Sequence, residues 1–212
     1  MDGLPQGGPS DLLTGEGPVH SNLVKLSRWM AGAGGVVLAA LILLICVSVL
    51  GRGINTMMHG SLFQGSLNGF AELVLSTGIG PVLGDFELVE AGIAFSIFAF
   101  IPFCQITQSH ATVDILTTAF SERVNRFLMW AAEVLFFIVL ALIAWRLWDG
   151  MLAKKSYGET TFLIQFQVWY GYAVCIPPAV LAVIVSAYLA VMRSVEISTG
   201  RAVLPRTQGA VH

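Results

Sequence analysis

The chain has 212 residues, 56% of them hydrophobic and 11% charged, with a mean hydropathy of +0.78. One soluble core of this size cannot hide that much apolar surface, which excludes a water-soluble globular protein and indicates an integral membrane protein. A formal net charge of -2, with 11 Lys and Arg scattered along the chain and no basic block, excludes a nucleic-acid partner.

Residues 1–22 are rich in Gly, Pro, Ser and Asp without helical or strand period and read as a disordered tail. The run 29–51 is bracketed by Arg28 and Arg52. At ~1.5 Å per residue it covers about 34 Å, enough for one span with a modest tilt. Ala31, Gly35 and Ala39 form a stripe of small residues at every fourth position, which either admits a second helix closely or reflects only how common small residues are in such spans. Between 52 and 86 the chain is polar and Gly-punctuated. Within it Leu67, Phe70, Ala71, Val74 and Leu75 keep a helical period over 67–77, which predicts a short interfacial helix.

A second span is predicted over 86–107, opening with Glu87 and Glu90, which the helix dipole tolerates near an N-terminus; Pro102 predicts a kink. A polar turn, 105–114, follows with His110 and Asp114 in it, and Val113, Leu116, Phe120 and Val124 predict an amphipathic surface helix over 113–126. The third span, 127–146, carries Glu133, an intramembrane carboxylate and so a candidate contact with a neighbouring helix or an ion. Lys154, Lys155 and Glu159 mark a loop. The uncharged stretch that follows is too long for one perpendicular helix, so its first part, 160–167, is expected to be a loop or interfacial entry and the fourth span to run over 168–192. Trp169, Tyr170 and Tyr172 open that span as an aromatic belt, and Pro177 with Pro178 predicts a kink.

The expected fold is an all-α integral membrane protein of four transmembrane helices plus short interfacial amphipathic helices. The membrane domain covers 23–195, with tails at 1–22 and 196–212. Four spans place both termini on one side. Lys25, Arg28, Arg123, Arg126, Arg193, Arg201 and Arg206 share that side against Arg52, Arg146, Lys154 and Lys155 on the other, so the N and C termini are expected to be cytoplasmic.

Catalytic chemistry is missing from the pattern. The histidines His20, His59, His110 and His212 all fall in tails or loops, unlike the helix-interior ligands of haem anchors. Cys46, Cys104 and Cys175 sit in apolar runs without C-x-x-C spacing. No nucleophile and base pair and no phosphate loop stand out, and an enzyme is not expected.

The order of features resembles the small membrane subunit, DctQ type, of tripartite ATP-independent periplasmic (TRAP) transporters. The residues that carry the likeness are Arg52 after the first span, Glu87 and Glu90 opening the second, and His110-Ala111-Thr112-Val113-Asp114 some twenty residues on. Thr160-Thr161, the aromatic entry and Pro177 continue it. The resemblance implies a multi-pass protein of the bacterial inner membrane, a scaffold with no cofactor of its own. Its partners would be a large permease subunit, which couples symport of an organic acid to sodium, and a periplasmic substrate-binding protein, with the lipid bilayer around them. Arg52, Glu87, Glu90, His110 and Asp114 would then orient loops and dock the partner, with Glu133 and Pro177 as further interface candidates. The alternatives are a membrane anchor of a respiratory oxidoreductase or a small independent carrier.

Overall fold

The computed structural model describes residues 18–58, 82–107 and 122–199. They form four helices, α1 (Pro18–Met58), α2 (Asp85–Ile106), α3 (Glu122–Tyr157) and α4 (Trp169–Thr199), with no strand among the described residues beyond an isolated bridge between Thr160 and Gln167. Each helix is long and apolar enough to cross a membrane, so the protein is an all-helical membrane protein with four spanning helices among the described residues.

Two helices outrun their apolar runs. α1 has 41 residues and α3 has 36, roughly 60 and 54 Å of helix against a hydrocarbon slab of ~30 Å. Pro18 opens α1, a position where its missing N–H costs nothing, so residues 18–22 are helical where a tail was expected. The helix also passes unbroken through Arg52. Likewise Lys154 and Lys155 lie in the last turn of α3, where the helix dipole favours cations, not in a loop. The reason is general: charge ends an apolar run, yet Lys and Arg are good helix formers and leave the backbone free to continue. α2 and α4 are continuous through Pro102, Pro177 and Pro178. The helices expected over 67–77 and 113–126 lie outside the described residues, save that 122–126 form the start of α3.

The helices stand in an open row. α1 packs on α2, α2 on α4, and α4 on α3; α1 meets α4 only slightly, and α3 has extended contact with α4 alone. α4 is therefore the most enclosed helix and α3 the least. Ala182, Val185 and Leu189 of α4 are fully buried. With Ile106 of α2, Leu181 and Met192, residues of this face form the main cluster, against which Leu23, Val24 and Met30 of α1 and Tyr188 pack. At the other end of α4, Tyr172 lies over Gly150 of α3 and Gly171 faces Ala91 of α2.

α1 and α2 meet along a seam that repeats every seven residues. On α1 four of the five buried positions, Ser27, Gly34, Leu41 and Ser48, keep this spacing, with Gly51 the fifth; on α2 the same spacing gives the buried Asp85, Ala99 and Ile106 and the half-buried Gly92. The two rows run antiparallel, so Ser48 meets Asp85, Leu41 fits over Gly92, and Gly34 lies against Ala99. A seven-residue repeat keeps one face of each helix turned to the other along its length. The fit is close: a Cβ at Gly34 would sit 2.8 Å from the Ala99 Cβ, and one at Gly92 would sit 2.7 Å from a Leu41 methyl. Ser96 Oγ donates across the seam to the Gly34 carbonyl at 3.1 Å and also to the Gly92 carbonyl of its own helix at 2.9 Å. The small-residue stripe Ala31, Gly35, Ala39 is not this seam. A Cβ at Gly35 would meet open space and Ala39 is exposed, because a four-residue stripe drifts off a face that a seven-residue seam holds.

Gly34→Leu is expected to weaken the fold by roughly 1–3 kcal/mol through overpacking, whereas Gly35→Leu is expected to be neutral. Denaturant titration of the two variants in detergent reads the difference; equal losses would contradict the seam.

Candidate functional site

A cluster of polar groups lies where α2 begins. Gly84, at φ +77, is the N-cap of α2, and the Ile164 side chain from the α3–α4 loop fills the space a side chain there would need. Only glycine meets both demands. Asp85 and Glu87 follow in the first turn, where the helix dipole favours carboxylates.

Asp85 is buried and fully engaged. Its Oδ2 accepts from Ser48 Oγ at 2.5 Å and from the Arg52 guanidinium, and its Oδ1 accepts from the Phe86 N–H at 2.9 Å. Arg52 also reaches Ser48 Oγ at 3.4 Å and lies 5.2 Å from the centre of the Phe86 ring, within cation–π range. Ser48 and Arg52, four residues apart, share one face of α1, so the cluster closes the seam with a charged clamp. Arg52 stays more than a third exposed while Asp85 does not, so the ion pair faces outward at its basic end.

Glu87 grips the other neighbour. Its two carboxylate oxygens accept the backbone N–H groups of Leu163 at 2.7 Å and Ile164 at 3.0 Å. Consecutive N–H groups aimed at one carboxylate form an anion-binding concavity, here filled by the protein's own side chain. The loop is closed on itself as well: the Thr161 N–H donates to the Phe166 carbonyl at 2.8 Å, the Phe166 N–H donates to Thr161 Oγ1 at 3.0 Å, and the Val168 N–H donates to the Glu159 carbonyl at 3.0 Å. Behind it Trp169 stacks on Tyr170 at 4.0 Å, with Lys155 5.1 Å over the indole. The first turn of α2 thus ties α1 on one side and the α3–α4 loop on the other.

The predicted site residues divide between this place and others. Arg52 and Glu87 belong to the clamp. Glu90 is exposed, one turn further along α2. Pro177 is exposed on α4 while its neighbour Pro178 is fully buried. Glu133 is half-buried on α3 near the opposite end, electrostatically attracted to Arg193 of α4. Arg193 itself donates to Glu196 Oε2 at 2.8 Å, and Trp130 Nε1 donates to Ser194 Oγ at 2.8 Å. His110 and Asp114 lie outside the described residues. Asp85 and Ser48 were missed, because Asp85 reads as the last residue of a polar loop. The signal was present: Asp85 stands seven residues before Gly92 and fourteen before Ala99. Among the described residues no group of three or more His, Cys, Asp or Glu could hold a metal ion.

The family model for tripartite ATP-independent periplasmic transporters, DctQ component, matches residues 69–196, more than half of the chain. The chain belongs to the DctQ family. The match takes in α2, α3, nearly all of α4 and the Glu87-bound loop, while α1 with Ser48 and Arg52 precedes it. DctQ proteins are components of transporters of the inner membrane, not an enzyme family. No curated protein and no solved structure matches the chain.

Asp85→Ala strips the clamp of its shared acceptor and leaves Arg52 without its anion. It is expected to lower the midpoint of thermal unfolding by several degrees, against little change for Glu90→Ala, as measured by differential scanning fluorimetry in detergent. Glu87→Ala is expected to speed amide hydrogen exchange at Leu163 and Ile164 while leaving the centre of α4 unaffected; unchanged loop exchange would show that the carboxylate does not hold the loop.

Proposed function

We propose that the chain is the small scaffold subunit of a TRAP-type secondary transporter, bracing a large sodium-coupled permease subunit that imports an organic acid delivered by a periplasmic binding protein. Membership of the DctQ family carries this reading. The open row of helices supports it: α1 and α3 each have one extended neighbour or little more, and both expose long apolar faces that a second membrane protein could cover. With the termini cytoplasmic, as the distribution of Lys and Arg favours, the clamp and the α3–α4 loop lie on the periplasmic side. Arg52 and Glu87 then act as orienting residues, which hold α1, α2 and that loop at fixed positions for the partner. The transported acid never meets this chain in such an arrangement; sodium and substrate belong to the large subunit.

Glu133 is the candidate for direct contact. Its carboxylate accepts no hydrogen bond from the described residues, and the nearby Arg193 is already bonded to Glu196. An intramembrane carboxylate in that position has capacity left for a donor on another subunit.

Co-expression with the large permease subunit and affinity purification through a tag on this chain is expected to recover a one-to-one complex. A chain that purifies alone, and without which uptake proceeds normally, would sink the proposal. Glu133→Leu is expected to reduce the yield of that complex several-fold while the isolated chain keeps its unfolding midpoint; an unchanged yield would remove Glu133 from the interface.

A further inference from the structure

The segment between α3 and α4 combines two features that do not ordinarily occur together: it is firmly held, and it is greasy on the outside. Its backbone is fixed by the Glu87 carboxylate, by the paired bonds between Thr161 and Phe166, and by the Thr160 to Gln167 bridge. Phe162 at its tip is nevertheless 93% exposed, and Leu163 and Phe166 are exposed beside it. Leu83 and Phe86, at the start of α2, extend the same surface at 77% and 69% exposure. They adjoin it because Gly84, between them, is covered by Ile164 of the loop.

We infer that this surface is a lipid-binding foot: Phe162 and its apolar neighbours enter the headgroup and upper acyl region of the bilayer, and Glu87 is the residue that holds them at that depth. This rests on the membrane-spanning reading of the helices and not on the identity of any partner subunit.

Three observations select a lipid surface as the occupant. First, no charged residue stands between Glu159 and Arg193, so Phe162, Leu163, Ile164 and Phe166 enter the interface without drawing a formal charge in with them, and the uncharged Gln165 and Gln167 can remain among the polar headgroups. Second, the loop leads directly into the stacked Trp169 and Tyr170, with Lys155 over the indole. Amphipathic rings with a neighbouring cation are the side chains that settle at the membrane–water boundary. Third, the loop is too short to leave that boundary. Between the bonded residues Thr161 and Phe166 only four residues remain, and a doubled-back segment of that length reaches at most about 10 Å at ~3.3 Å per residue. The headgroup layer on each side is of comparable thickness, about 5–8 Å. A tip of this reach, apolar and immobilised, stays within or just beneath the headgroups. The chemistry it suits is the glycerol and upper-chain region of a phospholipid, with Arg52 over Phe86 and Lys155 over Trp169 placed beside it at headgroup level.

The test is a depth measurement in phospholipid bilayers. The full chain, with Cys46, Cys104 and Cys175 replaced by Ala, carries a nitroxide at Phe162→Cys or, separately, at Leu163→Cys, with Glu159→Cys as the water-facing reference. Power saturation compares collisions with oxygen, which concentrates in the acyl region, and with a water-soluble nickel chelate. Oxygen is expected to dominate at 162 and 163 and the chelate at 159. In a Glu87→Ala background the oxygen preference at 162 is expected to fall toward the value at 159, with a narrower spectrum showing a looser loop. Dominance of the chelate at both 162 and 163 would overturn the lipid assignment. Exclusion of both reagents at 162 and 163 would overturn it in favour of a protein surface. An oxygen preference that survives Glu87→Ala unchanged would overturn the role given to Glu87.

Discussion

Apolar solvent removes the main force that packs helices in water, because lipid chains accept an apolar side chain as readily as a neighbouring helix does. What joins α1 to the rest of this protein must therefore be close backbone approach and hydrogen bonding, and both are concentrated in the seven-residue seam with α2. Gly34 and Gly92 let the helices come close, Ser96 bonds across the gap, and the cluster of Ser48, Arg52 and Asp85 closes the end of it. The charged clamp stands at the start of α2, where Arg52 is partly exposed while Asp85 is not. Were the same ion pair placed in mid-membrane, the cost of removing both charges from water would oppose the packing it supports.

The clamp also fixes what lies beyond the seam. Two carboxylates in one helical turn face opposite neighbours, Asp85 toward α1 and Glu87 toward the loop that enters α4. α2 is consequently the strut of the molecule although α4 holds more of its core. This division explains how an open row of helices keeps its order: α3 leans on α4, α4 on α2, and the N-terminus of α2 is anchored on both sides. A row anchored at one end also presents the outer faces of α1 and α3 in a set geometry.

Much of the fold was legible in the sequence, and the failures have identifiable causes. Four apolar runs announce four spanning helices because hydrocarbon thickness sets a minimum length. Helix ends were misplaced at Pro18 and at Lys154 because charge marks where the membrane stops, and the backbone has no reason to stop there as well. The stripe at Ala31, Gly35 and Ala39 left two readings open, and within this chain it is not the seam with α2; the paired spacing of Ser27, Gly34, Leu41 and Ser48 against Asp85, Gly92 and Ala99 identifies that seam. Of the site, Arg52 and Glu87 were visible as charges at the edge of apolar runs. Their partners were not: Asp85 looks like loop, and the partners of Glu87 are backbone N–H groups, which no side-chain pattern encodes.

The register of α1 against α2 is the point on which this account depends most, and in-membrane disulfide trapping reads it directly. In a background lacking the native cysteines and carrying a protease site within 59–81, Leu41→Cys paired with Gly92→Cys should form an intramolecular disulfide that keeps the two fragments together after cleavage. Ile42→Cys paired with Gly92→Cys, one residue off the seam, should not. Efficient trapping of the Ile42 pair and none of the Leu41 pair would contradict the seam and, with it, the placement of Ser48 and Arg52 beside Asp85.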